Sequence, residues 1–281
     1  MLSVWSLTQQ PTSSRGARQF HAEFQVNPVA MFVATRWELA ALRRALPVDR
    51  RQHVGGIRCL IGRQSNRPYW LIQTGVGSDA ASTAARLVLN RQPMALIIST
   101  GFAGALTPAA IGDLVIGTSV CAGSNDRTWR QNTEAVSCDH AGLSCVQSIA
   151  AQVGIAAHLG PVVSVPRIVY RAEDKQAISR MTGATALDME SAALALVAQE
   201  RAVPFLVVRT VSDLVGEDLP VDFNLFLKPA GWLRGIWELL ACPSKLLGMN
   251  RLRQQSSLAA DQLTAVYTAF AGRGFGLSQT L

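Results

Sequence analysis

The 281-residue chain has no stretch approaching the 18 or more consecutive apolar residues that a membrane span requires, although 49% of its residues are hydrophobic. Apolar runs such as Met94–Ile98 and Pro204–Val208 have the length of buried strands. The first 28 residues lack an apolar segment followed by a small-residue cleavage site, so the reading gives no secretory signal and a cytoplasmic location. Cysteine is scarce: five residues, an odd number with no CxxC pair, which argues against a disulfide framework. Cys138, His140 and Cys145 lie close together, but their spacing fits no standard zinc-ligand pattern, and no metal is expected. Neither GxGxxG nor a P-loop occurs, so a dinucleotide or ATP site is disfavoured and no cofactor is expected. Charged residues make up only 16% of the chain, and the formal net charge is +7. The basic residues form no dense run interleaved with aromatics, which disfavours a nucleic-acid groove.

What is present is a regular alternation. After a polar, aperiodic segment over residues 1–28, expected to be a disordered tail, Val29–Ala34 reads as a buried strand. Trp37–Leu46 reads as a helix with Leu39, Leu42 and Leu46 on one face. Tyr69–Gln73 is a second strand, followed by a helix capped by Ser78 and running through Asn90. Ala95–Ser99, Leu114–Val120, Pro161–Val165 and Val203–Val208 are further strands. Asp139 caps a helix to Val153, and Glu173–Met181 and Met189–Arg201 read as helices. Apolar strands alternating with helices predict a single α/β domain over residues 29–222, with a mixed central sheet flanked by helices. Ligands of such folds lie beyond the strand ends. Here those ends are Thr35–Glu38, Thr74–Ser78, Thr100–Gly104 and Arg209–Asp213.

Three carboxylates stand at element ends: Glu38, Glu190 and Asp213. Taken singly, each has a plain structural role open to it, as a partner for a helix dipole or as a turn residue. The glycines of Gly75-Val76-Gly77 and Gly101-Phe102-Ala103-Gly104 could cradle a phosphate or simply let the backbone turn tightly.

The ordered set Glu38, Thr100–Gly104, Asp188-Met189-Glu190 and Arg209 to Ser212-Asp213 resembles the purine nucleoside phosphorylase and methylthioadenosine nucleosidase superfamily over roughly Val29–Leu219. Ala186–Ser191, Val203-Pro204-Phe205 and Leu219-Pro220, together with the region around Pro229, Pro243 and Leu252, are similar to the hopanoid-associated phosphorylases, also described as adenosylhopane nucleosidases. The resemblance implies a nucleoside phosphorylase-like fold and cleavage of the N-glycosidic bond of an adenosyl compound, expected to be an apolar adenosyl lipid, with release of adenine. Phosphorolysis at the same site, a methylthioadenosine or adenosylhomocysteine nucleosidase, and a non-catalytic nucleoside- or lipid-binding relative are the alternatives. The resemblance implies Asp213 as proton donor to N7 of the purine and Glu38 as the group that activates water. Glu190 would grip the ribose hydroxyls, Met189 would floor the ribose, and Ile168 and Val169 would pack on the adenine. Gly101, Phe102, Arg209 and Ser212 complete the substrate-binding set that it implies.

Family phosphorylases carry an arginine just before the Gly-x-x-Gly loop, where this chain has Ser99 and Thr100; their loop serine is replaced by Phe102. These departures favour water over phosphate as co-substrate, with Arg36, Arg86 or Arg209 left as possible phosphate ligands.

Residues 223–281 read as an apolar helical extension packed on the catalytic domain. Pro229 starts one helix bearing Trp232, Leu233, Ile236, Trp237 and Leu240, and Asn250 caps another bearing Ala259, Leu263, Val266, Tyr267 and Phe270. Lys228, Arg234, Lys245, Arg251 and Arg253 punctuate this apolar stretch. The extension suits three roles: an interface in a homo-oligomer, a wall for a lipid-tailed substrate, or a peripheral contact with the inner face of the membrane.

Overall fold

The computed structural model describes residues 26–124, 134–227 and 243–277. Ten strands and six helices alternate among these residues. β1 (Val29–Val33) leads through α1 (Arg36–Ala45) to β2 (Arg50–Val54), β3 (Ile57–Gln64) and β4 (Arg67–Gln73). Then come α2 (Ser78–Arg91), β5 (Leu96–Ala105), β6 (Leu114–Ala122), β7 (Val136–Ser137) and α3 (His140–Val153). β8 (Ala157–Ser164), α4 (Ala172–Thr182), β9 (Ala186–Asp188), α5 (Ser191–Glu200) and β10 (Phe205–Asp213) follow, and α6 (Pro243–Gly272) closes the described chain.

The sheet is mixed and branches at β5. On one side β5 pairs in parallel with β1, which pairs in parallel with β4, and the β4–β3–β2 meander is antiparallel. On the other side β5 pairs in parallel with β10 and antiparallel with β9. β10–β6, β6–β8 and β8–β9 pairings then close a five-strand ring. Closure removes free edges there and gathers strand ends around one opening.

Alternation along the central strands divides the core between two layers of helices. Ala30 and Phe32 of β1 join Ala81, Ala84, Ala85 and Val88 of α2 and Ala195 of α5. Val29, Met31 and Val33 face Leu39 and Leu42 of α1 with Leu263, Val266 and Phe270 of α6. Small alanines on α2 and α5 let those helices approach closely, whereas α1 and α6 supply bulk.

Several boundaries differ from the sequence reading. Strands β5 and β10 run on through Thr100–Gly104 and Arg209–Asp213, so these motifs are strand, not loop. Their residues pair with each other, Arg209 opposite Gly101 and Asp213 opposite Gly104. The ladder hydrogen bonds therefore hold the motifs that the apolar pattern alone leaves outside. Gly77, not Ser78, caps α2, and it does so without a side-chain bond. Met189 and Glu190 precede α5 rather than lie in it, with Glu190 at the N-cap. β2, β3, β7 and β9 were not anticipated: β2 is polar and β7 and β9 are only two and three residues long. Asn250 lies inside α6, because that helix starts at Pro243. The expected inward face is nonetheless there, with Ala259, Leu263, Val266, Tyr267 and Phe270 all fully buried. Phe270 and Phe275 meet edge to face at 5.4 Å. Residues 1–25, and the expected helix bearing Trp232, Leu233, Ile236, Trp237 and Leu240, lie outside the described residues. Among the described residues no helix is long and apolar enough to cross a membrane.

Candidate active site

The ends of β1, β5, β9 and β10, with the segment after β8, surround a cavity of about 220 Å³. Glu38, Phe102, Ile168, Val169, Met189, Glu190, Arg209, Ser212 and Asp213 line it together. Gly101 stands just behind.

Glu38 is fixed by the start of α1. Thr35 and Glu38 form a reciprocal capping box, because the chain enters the helix with Thr at the N-cap and Glu three residues on. Oε2 accepts from the amides of Ala34 (3.0 Å) and Thr35 (2.8 Å) and from the Thr35 hydroxyl (3.0 Å). Oε1 accepts from the amide of Phe102 at 2.9 Å, which reaches across from β5. The carboxylate is 4% exposed. With one amide donor, Oε1 retains a lone pair for a further partner in the cavity. Gly101 makes this arrangement possible: its φ is +138°, and a Cβ there would stand 2.0 Å from Glu38 Oε1.

Beneath the cavity lies Arg209, 2% exposed. Its Nη2 meets Asp188 Oδ2 at 2.8 Å and donates to the hydroxyls of Ser99 (2.8 Å) and Ser191 (3.2 Å). Its Nη1 donates to the carbonyl of Phe102 at 3.2 Å. Glu38 and Glu190 stand slightly farther off, at 3.8 and 3.9 Å. Burial opposes the positive charge here, but the surrounding carboxylates outweigh it and hold the guanidinium protonated. A buried arginine of this kind offsets three acidic groups that would otherwise repel one another.

Asp188 is the anchor of the 188–191 turn. Its Oδ1 accepts from the Ser164 hydroxyl (2.5 Å) and the amides of Glu190 (3.3 Å) and Ser191 (3.2 Å), and its Oδ2 accepts from the Ser191 hydroxyl. Glu190 Oε1 in turn accepts from the amide of Gly77 at 2.7 Å. The Gly75–Gly77 turn thus approaches a protein carboxylate. Gly75 and Gly77 both have positive φ, which explains the glycines. Burial pushes the Glu190 carboxyl up to about 7, against the pull of Arg209.

Asp213 ends β10 and lines the same cavity. Its Oδ1 lies 2.5 Å from Nζ of Lys175, and its Oδ2 accepts from the Ser212 hydroxyl at 3.1 Å. Lys175 is fully buried, and the sequence reading missed it: in Ala172–Thr182 it looks like one more solvated helix residue. One signal was available. Lysine occurs only three times in a chain with 26 basic residues, so a lone lysine in an acidic first turn stands out. Asp188, Ser164 and Ser191 were also missed as site residues, because their role is to hold others. Asn224 is a further such residue: its amide group accepts from the Ile168 N–H and donates to the Ile168 carbonyl, both at 2.8 Å.

Of the arginines considered for phosphate, Arg209 lines the cavity, but its guanidinium is already bound to Asp188, Ser99, Ser191 and Phe102. Arg36 and Arg86 do not line it; Arg86 pairs with Glu200 on the exposed surface, and Arg36 lies over the Trp37 ring. Among the described residues no group of three or more His, Cys, Asp or Glu side chains could hold a metal ion.

A branched mixed sheet with buried acidic groups at its strand ends defines an α/β enzyme of nucleoside phosphorylase-like architecture, and the chain belongs to the phosphorylase superfamily, whose family model matches residues 28–229. Among its relatives, a 5'-methylthioadenosine/S-adenosylhomocysteine nucleosidase from Shewanella sp. (strain W3-18-1) is 27% identical over 214 residues, which cover 72% of this chain and 93% of that protein. The fold is shared with the Neisseria meningitidis nucleosidase of the same name in complex with methylthio-immucillin-A, with a TM-score of 0.66 at 20% identity, covering 87% of this chain and all of that one. It is shared equally with Helicobacter pylori futalosine hydrolase, with a TM-score of 0.65 at 18% identity, covering 86% of this chain and 97% of the other.

Proposed function

We propose that this protein hydrolyses the N-glycosidic bond of an adenosyl nucleoside and releases adenine. The observation that carries the reading is the shared cavity, which Glu38, Glu190 and Asp213 line together, with the buried Arg209 within 4 Å of both glutamates.

Cleavage of this bond builds positive charge on the ribose and negative charge on the departing base. In the proposed reaction Glu38 accepts a proton from a water whose oxygen attacks C1' of the ribose. As the C1'–N9 bond breaks, its electron pair moves onto the purine, and Asp213 delivers a proton to N7 so that adenine leaves neutral. Glu190 accepts hydrogen bonds from the ribose hydroxyls, each worth roughly 1.5–3 kcal/mol for a charged acceptor. Its charge also favours the developing sugar cation. Met189, Ile168, Val169 and Phe102 give the sugar and base apolar walls.

Two features support water rather than phosphate as the nucleophile. Glu38 is an anion aimed at the cavity, which repels a phosphate dianion. Arg209, the cation beneath, already has carboxylate and hydroxyl partners. The substrate we assign is a 5'-substituted adenosyl compound. The names of the nucleosidase relatives support a small thioether substituent, whereas the apolar residues of 223–249 support a hydrocarbon tail. Competition between methylthioadenosine and a lipid-tailed adenosyl compound separates these: the substrate with the higher kcat/KM is the one the site is built for. The proposal as a whole is tested by Asp213→Asn and Glu190→Gln. Each is expected to reduce adenine release at least ~10²-fold, and unchanged activity in both would overturn it.

A further inference from the structure

Lys175 is fully buried on α4, yet its ammonium has three hydrogen-bond acceptors for its three donors: Asp213 Oδ1 at 2.5 Å, the Leu214 carbonyl at 2.9 Å and the Glu217 carbonyl at 3.1 Å. An ammonium taken wholly out of water costs several kcal/mol unless it is paired and fully hydrogen-bonded. This one is, and every partner belongs to the end of β10 or the turn that follows. An apolar side chain at position 175 would fill such a space at no desolvation cost. The position of the cation therefore has a reason beyond packing.

We infer that Lys175 is the positioning residue for the proton donor Asp213, an assignment that rests on the hydrolytic reading above. Lys175 holds Oδ1, so the carboxyl cannot rotate about its side-chain torsion, and the Ser212 hydroxyl at 3.1 Å steadies Oδ2 at the cavity wall. Lys175 also favours the product of the transfer. When the proton on Asp213 passes to N7 of the purine, the electron pair of the former O–H bond stays on the carboxylate. The Lys175 Nζ faces that new negative charge at contact distance. α4 follows directly on the segment carrying Arg167, Ile168 and Val169. The same short stretch of chain thus shapes the cavity wall opposite the base and supplies the cation that orients its acid. The Leu214 and Glu217 carbonyls extend the hold to the turn after Asp213, which fixes the strand end itself.

The test compares two leaving groups. Adenine needs a proton to depart; the nitrophenolate of 4-nitrophenyl β-ribofuranoside does not. In Lys175→Met, kcat for an adenosyl nucleoside is expected to fall at least ~10²-fold further than kcat for the nitrophenyl riboside, the magnitude typical of general-acid help. Asp213→Asn should show the same selectivity, and Lys175→Arg, which restores charge with altered geometry, should recover part of the loss. Equal losses on both substrates, or none on either, would overturn the assignment, because a purely structural lysine cannot discriminate between leaving groups. Where Lys175→Met does not fold, the neutral and polar Lys175→Gln carries the same comparison. A selective deficit on adenine sustains the inference, and wild-type or uniformly reduced rates refute it. Failure of the wild-type protein to release adenine at all would instead refute the hydrolytic reading, and the two failures are distinct.

Discussion

Arg209 Nη2 stands 2.8 Å from Asp188 Oδ2, with both side chains 2% exposed, and this pair joins β10 to the turn that carries Glu190. Removing one member of a buried pair leaves the other charge uncompensated, at a cost of about 3–5 kcal/mol. Arg209→Met is expected to lose that much stability in urea denaturation, since Glu38 and Glu190 lie within 4 Å as well. A loss below about 1 kcal/mol, the range of exposed ion pairs, would show that the arginine does not balance these carboxylates.

The pH dependence of stability follows from Glu190. Burial raises its carboxyl from the ordinary 4.5 to about 7. Between those values the folded, ligand-free protein holds a proton that the unfolded chain has released. The contribution of this group is therefore complete below pH ~4.5 and declines as pH rises through about 7. Glu190→Gln should remove that downward slope when unfolding free energies are compared between pH 5 and 8. For activity the sign is opposite: in the proposed reaction an anionic Glu190 accepts from the ribose, so kcat/KM is expected to rise as pH passes through about 7. A stability slope identical in the variant would contradict the assignment.

Gly101→Ala probes how tightly Glu38 is held. The added Cβ would meet Glu38 Oε1 at 2.0 Å, in a backbone conformation with φ +138° that L-residues rarely adopt. Displacing Glu38 breaks its bond from the Phe102 amide. Activity is expected to fall at least ~10²-fold, the scale of lost general-base help. The fall should appear in kcat more than in KM. A variant with wild-type kcat would show that Glu38 need not sit where it does.

Asn224→Ala should act on binding instead. Its side chain clamps both the N–H and the carbonyl of Ile168 from a 3-10 turn at Phe223–Leu227, more than fifty residues away. Loosening that wall is expected to raise KM about tenfold, a loss of ~1.4 kcal/mol, with kcat nearly constant. Steady-state kinetics decide; a fall in kcat alone would contradict a binding role.

Much of the core was legible before the structure. The runs at Val29–Val33 and Phe205–Val208 are buried strands because apolar residues at every position leave no solvent face. The docked face of α6 followed from the spacing of Leu263, Val266, Tyr267 and Phe270. The β2–β3 hairpin escaped notice because Arg50–Val54 is polar, and its strand character comes from pairing with β3. At the site, Glu38, Glu190 and Asp213 could be picked out from element ends and from family resemblance. Asp188 and Asn224 were missed because their role is to hold other residues through contacts that local composition does not encode, and Lys175 because only its rarity in the chain marks it. Periodicity likewise ended β5 and β10 too early, because Thr100–Gly104 and Arg209–Asp213 trade apolar character for the groups that line the cavity.

The most direct test of the account follows free adenine released from methylthioadenosine in phosphate-free buffer, then with inorganic phosphate added. The account predicts equal rates under both conditions, with free 5-methylthioribose as the other product and loss of activity in Asp213→Asn. Adenine release that depends on phosphate and yields the sugar 1-phosphate would contradict it.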